Sequence, residues 1–269
     1  MADTPQGPNP AAGTISDTER TRIKEYFIAE RGYWRPWVDS MLQTSPGFVE
    51  QYARYAGYPA RTGPLAPRMV ELIYVALDSS SSHLFESGLQ THMKRALEVG
   101  ATRADIFDVL HLVAVQGVVS VGQAANILAE CCEAEGYEIP TEAGSAARGA
   151  DTELQKRVAK LGPEYALSLG AIARMDPGYA AVLVDFIEGG RPAEGGLTPA
   201  ERSVIQLALH ACFTAFNPEA TRQIISTALK QGVSRSELLQ AIQLGAHLAV
   251  HGTALGTNTF QATVQQAAS

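Results

Sequence analysis

The sequence predicts an all-α protein built as two tandem copies of one helical unit, and three observations predict it. An ordered series of residues recurs at a spacing of about 132. Apolar residues follow helical periods between capping residues. Alternating apolar–polar runs bounded by hairpin turns are absent from the sequence.

The recurrence runs in order along the chain. Leu65-Ala66-Pro67 returns as Leu197-Thr198-Pro199, and Ile73, Ala76 and Leu77 return as Ile205, Ala208 and Leu209. Ala96-Leu97, Gly100 and Arg103 return as Ala228-Leu229, Gly232 and Arg235, and Asn126 returns as Asn258. Upstream, Ser45-Pro46-Gly47-Phe48 matches Asp176-Pro177-Gly178-Tyr179, shifted by one residue. The expected organisation is a flexible N-terminal tail (1–18), a first repeat (19–138), a Gly/Ala/Thr-rich linker (139–150) and a second repeat (151–269).

Each element has a local reason. The stretch Met1–Gly13 carries three prolines and two glycines without an apolar run, so it reads as a tail and not as a signal peptide. Pro67 and Pro199 stand where a proline opens a helix, and each leads an apolar run, Met69 to Leu77 and Val204 to Leu209. In Asp78-Ser79-Ser80-Ser81-Ser82, hydroxyls compete for backbone groups, so the first of these helices ends there. The next helix is expected to start near Phe85 to Ser87. Its counterpart follows the loop Thr214 to Glu219, which contains Asn217-Pro218. After Gly100, Thr102 and Asp105 form a capping box, followed by Ile106, Val109, Leu110 and Val113 on one helical face. Ser234 and Glu237 repeat the box, followed by Leu238, Ala241, Ile242 and Gly245.

Composition narrows the function. The chain has 269 residues and a net charge of −7, which argues against nucleic acid or an anionic membrane as partner. Hydrophobic residues make up 46% and charged residues 18%, a folded composition. No run approaches the roughly 18 consecutive apolar residues of a membrane span. Cys131, Cys132 and Cys212 form no spaced pair, so a reducing compartment, the cytoplasm, is expected.

Glu71, His83, Glu86 and His92 gather around the serine loop of the first copy. Two imidazoles and two carboxylates close together suit proton transfer at neutral pH. The second copy has Ser203, Ala215, Pro218 and Ile224 at the matching positions, which points to one active and one structural copy. His111 reads as a satisfied buried group, and Trp34-Arg35-Pro36-Trp37 as packing. His247 and His251 have a metal-binding spacing but lack a nearby third ligand, and no metal site is assigned. Arg68 and Arg95 are the candidate anchors for a substrate carboxylate.

The proline, Glu71-Leu72-Ile73, the apolar helix, the loop and His92 to Ile106 resemble the carboxymuconolactone decarboxylase family, which shares its all-helical fold with the AhpD-like alkylhydroperoxidases. The resemblance spans roughly Pro64 to Ala129, and Gly196 to Gln261 at the level of frame. His92 matches the family histidine and Glu71 the family glutamate. Phe85 and Gly88 stand where the peroxidase branch has its two cysteines, so thiol peroxidase chemistry is not expected. The resemblance implies a cofactor-independent lyase of aromatic catabolism that decarboxylates a small carboxylated ring or lactone, or carries out a related C–C cleavage or isomerisation on it. In it His92 or His83 would donate a proton, and Glu71 or Glu86 would orient an imidazole. It also implies a homotrimer forming a pseudo-hexamer. A metal-assisted lyase or hydrolase on the same frame, and a non-catalytic oligomeric scaffold, are the competing readings.

Overall fold

Helices in the computed structural model begin where prolines and short polar side chains release the chain from other conformations. The structure describes residues 15–137 and 145–267, without the side chains of 145–152, 163, 164 and 167. Among the described residues there is no strand, and the chain is all-α as expected. It divides into two compact units, Met1–Thr62 with His247–Ser269, and Gly63–Ala246. These bounds are not those of the two repeats.

The first unit holds α1 (Asp17–Arg31), α2 (Pro36–Thr44), α3 (Pro46–Thr62), a single 3-10 turn (His247–Ala249) and the C-terminal helix (Val250–Ala267). Ser16 caps α1 by accepting the Glu19 N–H at 3.2 Å, so helix starts two residues inside the expected tail. Phe27 is the fully buried hub of this unit. Its ring meets Trp34 at 5.3 Å, Tyr33 at 5.5 Å, Tyr52 at 6.2 Å and Trp37 at 6.4 Å. The Trp34–Trp37 cluster is therefore packing, with edge-on aromatic geometry.

The second unit contains α4 (Pro67–Ser79), α5 (Glu86–Glu98), α6 (Arg103–Ala134), α7 (Ser145–Leu161), α8 (Pro163–Met175), α9 (Pro177–Gly189), α10 (Pro199–Ala211), α11 (Pro218–Lys230) and α12 (Arg235–Ala246). The starts of α10, α11 and α12 follow those of α4, α5 and α6 by the same step of about 132 residues that orders the sequence matches. Both expected capping boxes are present. The Asp105 N–H donates to Thr102 Oγ1 at 3.1 Å and the Glu237 N–H to Ser234 Oγ at 3.2 Å. Of the expected linker, 139–144 lie outside the described residues, and 145–150 form the start of α7. The Ala-rich run after Ser145 favours helix over loop.

Helices α4 and α10 are apolar on nearly every face because each is walled in on all sides. Leu72, Ile73, Val75 and Ala76 of α4, and Ile205 and Leu207 of α10, are fully buried. Helix α4 packs against α5, α6, α10 and α12, and α10 against α11, α12, α4 and α6. Two hydrogen bonds tie the copies reciprocally. Gln240 Oε1 on α12 accepts the Leu65 N–H at 2.7 Å, and Asp108 Oδ2 on α6 accepts the Leu197 N–H at 3.0 Å. Among the described residues α6 alone is long and apolar enough to cross a membrane. Half of that stretch is buried in the fold, where α6 packs on α8, α4 and α10.

Candidate functional site

The site lies in the hairpin of α4 and α5. On α4, Glu71, Tyr74 and Asp78 follow one another by three and four residues and so share a face. On α5, Gly88, His92 and Arg95 do the same. The hairpin is antiparallel, so Glu71 meets the far end of the α5 stripe and Asp78 meets its start.

Glu71 and His92 are buried, at 7% and 9% exposure. His92 Nδ1 lies 2.7 Å from Glu71 Oε2, and Arg95 Nε lies 3.2 Å from Glu71 Oε1. The carboxylate is thus held from both oxygens, an imidazole on one and a guanidinium on the other. The Tyr74 ring lies against His92, tilted by 34° with centroids 4.5 Å apart. The short contact to Glu71 fixes the Nδ1 edge of the His92 ring.

The loop end of the hairpin is built differently. The Phe85 N–H donates to the Asp78 carbonyl at 2.9 Å, and the His83 and Leu84 N–H groups donate to the Ser80 carbonyl at 2.8 and 2.9 Å. Leu84 takes a left-handed φ of 48°, a strained turn for a branched residue. At Gly88 a Cβ would stand 2.3 Å from Asp78 Oδ2 and 2.4 Å from the Phe85 ring, so only glycine lets α5 approach here. His83 Nε2 lies 4.0 Å from Asp78 Oδ1, and burial pushes the His83 imidazole below its ordinary value, leaving it neutral at pH 7. Asp78 is two helical turns from Glu71, about 10 Å along the axis.

The structure therefore joins Glu71, His92 and Arg95 directly and sets His83 beside Asp78. Glu86 does not join either group. It is exposed at the first turn of α5, where Gln90 Nε2 donates to its Oε1 at 3.4 Å. Arg68, expected to hold substrate, is engaged elsewhere: its guanidinium pairs with Asp105 at 2.7 Å and Glu201 at 2.5 Å. Tyr74 and Asp78 were not among the expected site residues. Asp78 had a legible signal, a charge seven residues after Glu71 at the end of an apolar run, which reads equally well as part of the serine loop. His111 is buried as expected but only half satisfied: Nε2 lies 3.4 Å from the Phe186 carbonyl, while Nδ1 has no hydrogen-bond partner among the described residues. In the first unit, His247 Nε2 lies 3.2 Å from Arg31 Nη2, an unsuitable neighbour for a metal ligand.

Among the described residues a helical frame buries the Glu71–His92 contact, residue types able to pass a proton, and Cys131, Cys132 and Cys212 are free thiols away from it in sequence. Residues 46–130, from α3 through most of α6, match the model of the Carboxymuconolactone decarboxylase family. A solved structure from Burkholderia xenovorans, provisionally described as a gamma-carboxymuconolactone decarboxylase subunit, has a TM-score of 0.80 to this chain. The match covers 92% of this chain and 98% of that one at 24% identity, a likeness that speaks for the fold. No curated protein matches the chain.

Proposed function

We propose that the protein is a lyase of the carboxymuconolactone decarboxylase type, removing CO2 from a small carboxylated lactone or ring by acid/base chemistry. The contact that carries this reading is the buried 2.7 Å approach of His92 Nδ1 to Glu71 Oε2. In the reaction the bond from the ring to its carboxylate breaks and CO2 leaves. The bonding pair enters the conjugated ring as a dienolate. Protonated His92 faces that charge and then delivers a ring proton to carbon, and water restores the imidazolium. Glu71 fixes the ring orientation, and Arg95 holds Glu71. Arg95 is 40% exposed in its side chain and remains the better of the two candidate anchors for a substrate carboxylate.

The test is CO2 release from gamma-carboxymuconolactone by the purified full chain. Turnover by wild type and its loss in His92→Gln supports the reading. No turnover, or a His92→Gln variant as fast as wild type, overturns it. Loss of turnover on chelation with recovery on adding a divalent ion moves it to the metal-assisted alternative. The assembly is proposed to be a homotrimer. Exposed Ile127 and Leu128 on α6 support an oligomer, as does the word subunit in the description of the Burkholderia structure. A monomer by light scattering overturns that part. The free cysteines support the cytoplasm as its compartment.

A further inference from the structure

A cleft of about 530 Å³ lies away from the Glu71–His92 pair, between α6, the serine loop of the first copy and the α10–α11 loop of the second. We propose that this cleft is a second small-molecule site, built to take an uncharged aromatic ring bearing a hydroxyl, a phenol. Three observations converge on it, none of them used by the proposed decarboxylation.

His210, at the end of α10, lines the cleft and is only 3% exposed. The hydrogen bonds of His210 run to its carbonyl, from the Asn217 N–H and the Thr221 hydroxyl, and none to its ring is found among the described residues. Burial pushes its pKa down to about 4, so at neutral pH the ring offers one N–H donor and one acceptor, the pair that a hydroxyl satisfies.

Gly117 lines the same cleft from inside α6. Glycine within a helix is destabilising relative to alanine. Here no close packing requires it, because a Cβ at Gly117 would meet nothing within 4 Å. What the missing side chain leaves is the open space itself.

The remaining lining selects the ligand. Ser81 and Ser120 add hydroxyls, while Phe213 and Phe216 present rings that are 56% and 61% exposed. No Lys, Arg, Asp or Glu is among the lining residues. A carboxylate entering would lose hydration and gain no counter-charge. A phenol keeps its proton at pH 7, stacks on phenylalanine and hydrogen-bonds to the imidazole.

The probes are phenol and, as its charged counterpart, benzoate, measured by ligand-observed NMR on the full chain. Phenol has few atoms and is expected to bind in about the millimolar range, with benzoate weaker by about tenfold. Gly117→Leu fills the cleft and should weaken phenol by about tenfold or more, as should His210→Leu. Ser120→Leu, an exposed position, gives an independent filling variant should Gly117→Leu fail to fold. Gly117→Ala should raise the melting temperature. Glu71→Gln should leave phenol binding unchanged, which separates this site from the proposed lyase site. The proposal is overturned by absent phenol binding, by benzoate binding as well as phenol, or by folded filling variants that bind like wild type. A lower melting temperature for Gly117→Ala, or loss of phenol binding in Glu71→Gln, overturns it equally.

Discussion

The α4–α5 hairpin and the α10–α11 hairpin have the same helix lengths and matching positions in the repeat, yet opposite interiors. Where the first brings buried Glu71 and His92 and half-exposed Arg95 together, the second has Ser203, Ile224 and Thr227. Ser203 Oγ donates to Gln231 Oε1 at 2.8 Å, and Ile224 is almost wholly buried. The fold thus forms with an uncharged solution at this place. Burying an ionisable pair costs desolvation that well-packed apolar residues avoid. A pair kept at that cost in one hairpin and absent from the other is the one we propose to serve chemistry.

The largest effect should come from breaking this difference. His92→Gln or Glu71→Gln should lower kcat/KM by about 10² to 10⁴, whereas Ser203→Ala or Ile224→Val should leave it near wild type. Giving the first hairpin an apolar interior, with Glu71→Leu and His92→Ile together, should abolish turnover. The same double variant should be as stable as wild type or more so, by urea denaturation. A large loss of stability in it would make the pair structural.

A second contrast concerns the two reciprocal ties. Asp108 accepts the Leu197 N–H and pairs with Arg202, and both side chains are largely buried. Asp108→Leu strands a guanidinium and an amide together. The expected cost is about 3 to 5 kcal/mol, read from the denaturation midpoint at constant slope.

The third contrast is between His210 and its counterpart in the repeat, Asp78. The His210 imidazole has a pKa of about 4 when folded against 6.5 for the ordinary group. Between pH 6.5 and 4 the unfolded chain takes up a proton that the folded chain refuses, so stability falls as pH falls through that window and is unaffected above it. The whole effect is at most about 3 kcal/mol. Burial depresses His83 and His111 with the same sign. His210→Gln should therefore remove only its own share of the slope, seen by comparing denaturation of the two proteins across the window.

Much of the fold was legible because local rules decide it. Proline starts, the Thr102 and Ser234 capping boxes and the serine break after Asp78 all act within a few residues, and each stands where the sequence places it. The Glu71–His92 contact was partly legible, since two ionisable groups in apolar helices joined by a short loop must face something. Glu86 misled because its position at a helix start fits both solvent and ligand, and side-chain direction there depends on the turn at Leu84. Arg68 misled because its partners, Asp105 and Glu201, are remote in sequence. Nor does any local rule announce that the copies exchange hydrogen bonds through Gln240 and Asp108.

The smallest effect tests that exchange from its other side. Gln240 is almost wholly buried on α12, and its Oε1 accepts the Leu65 N–H at 2.7 Å, as Asp108 does for Leu197. The difference between the two ties is charge, because the amide has no arginine to neutralise. Gln240→Leu leaves one buried backbone donor unsatisfied, at a cost of about 1 to 3 kcal/mol. It should therefore fall below Asp108→Leu in the same denaturation series. Equal costs for the two variants would mean that the backbone bond, and not the buried ion pair, dominates at Asp108. A larger cost for Gln240→Leu would point instead to packing at Gly63, where a Cβ would stand 2.0 Å from the Gln240 side chain.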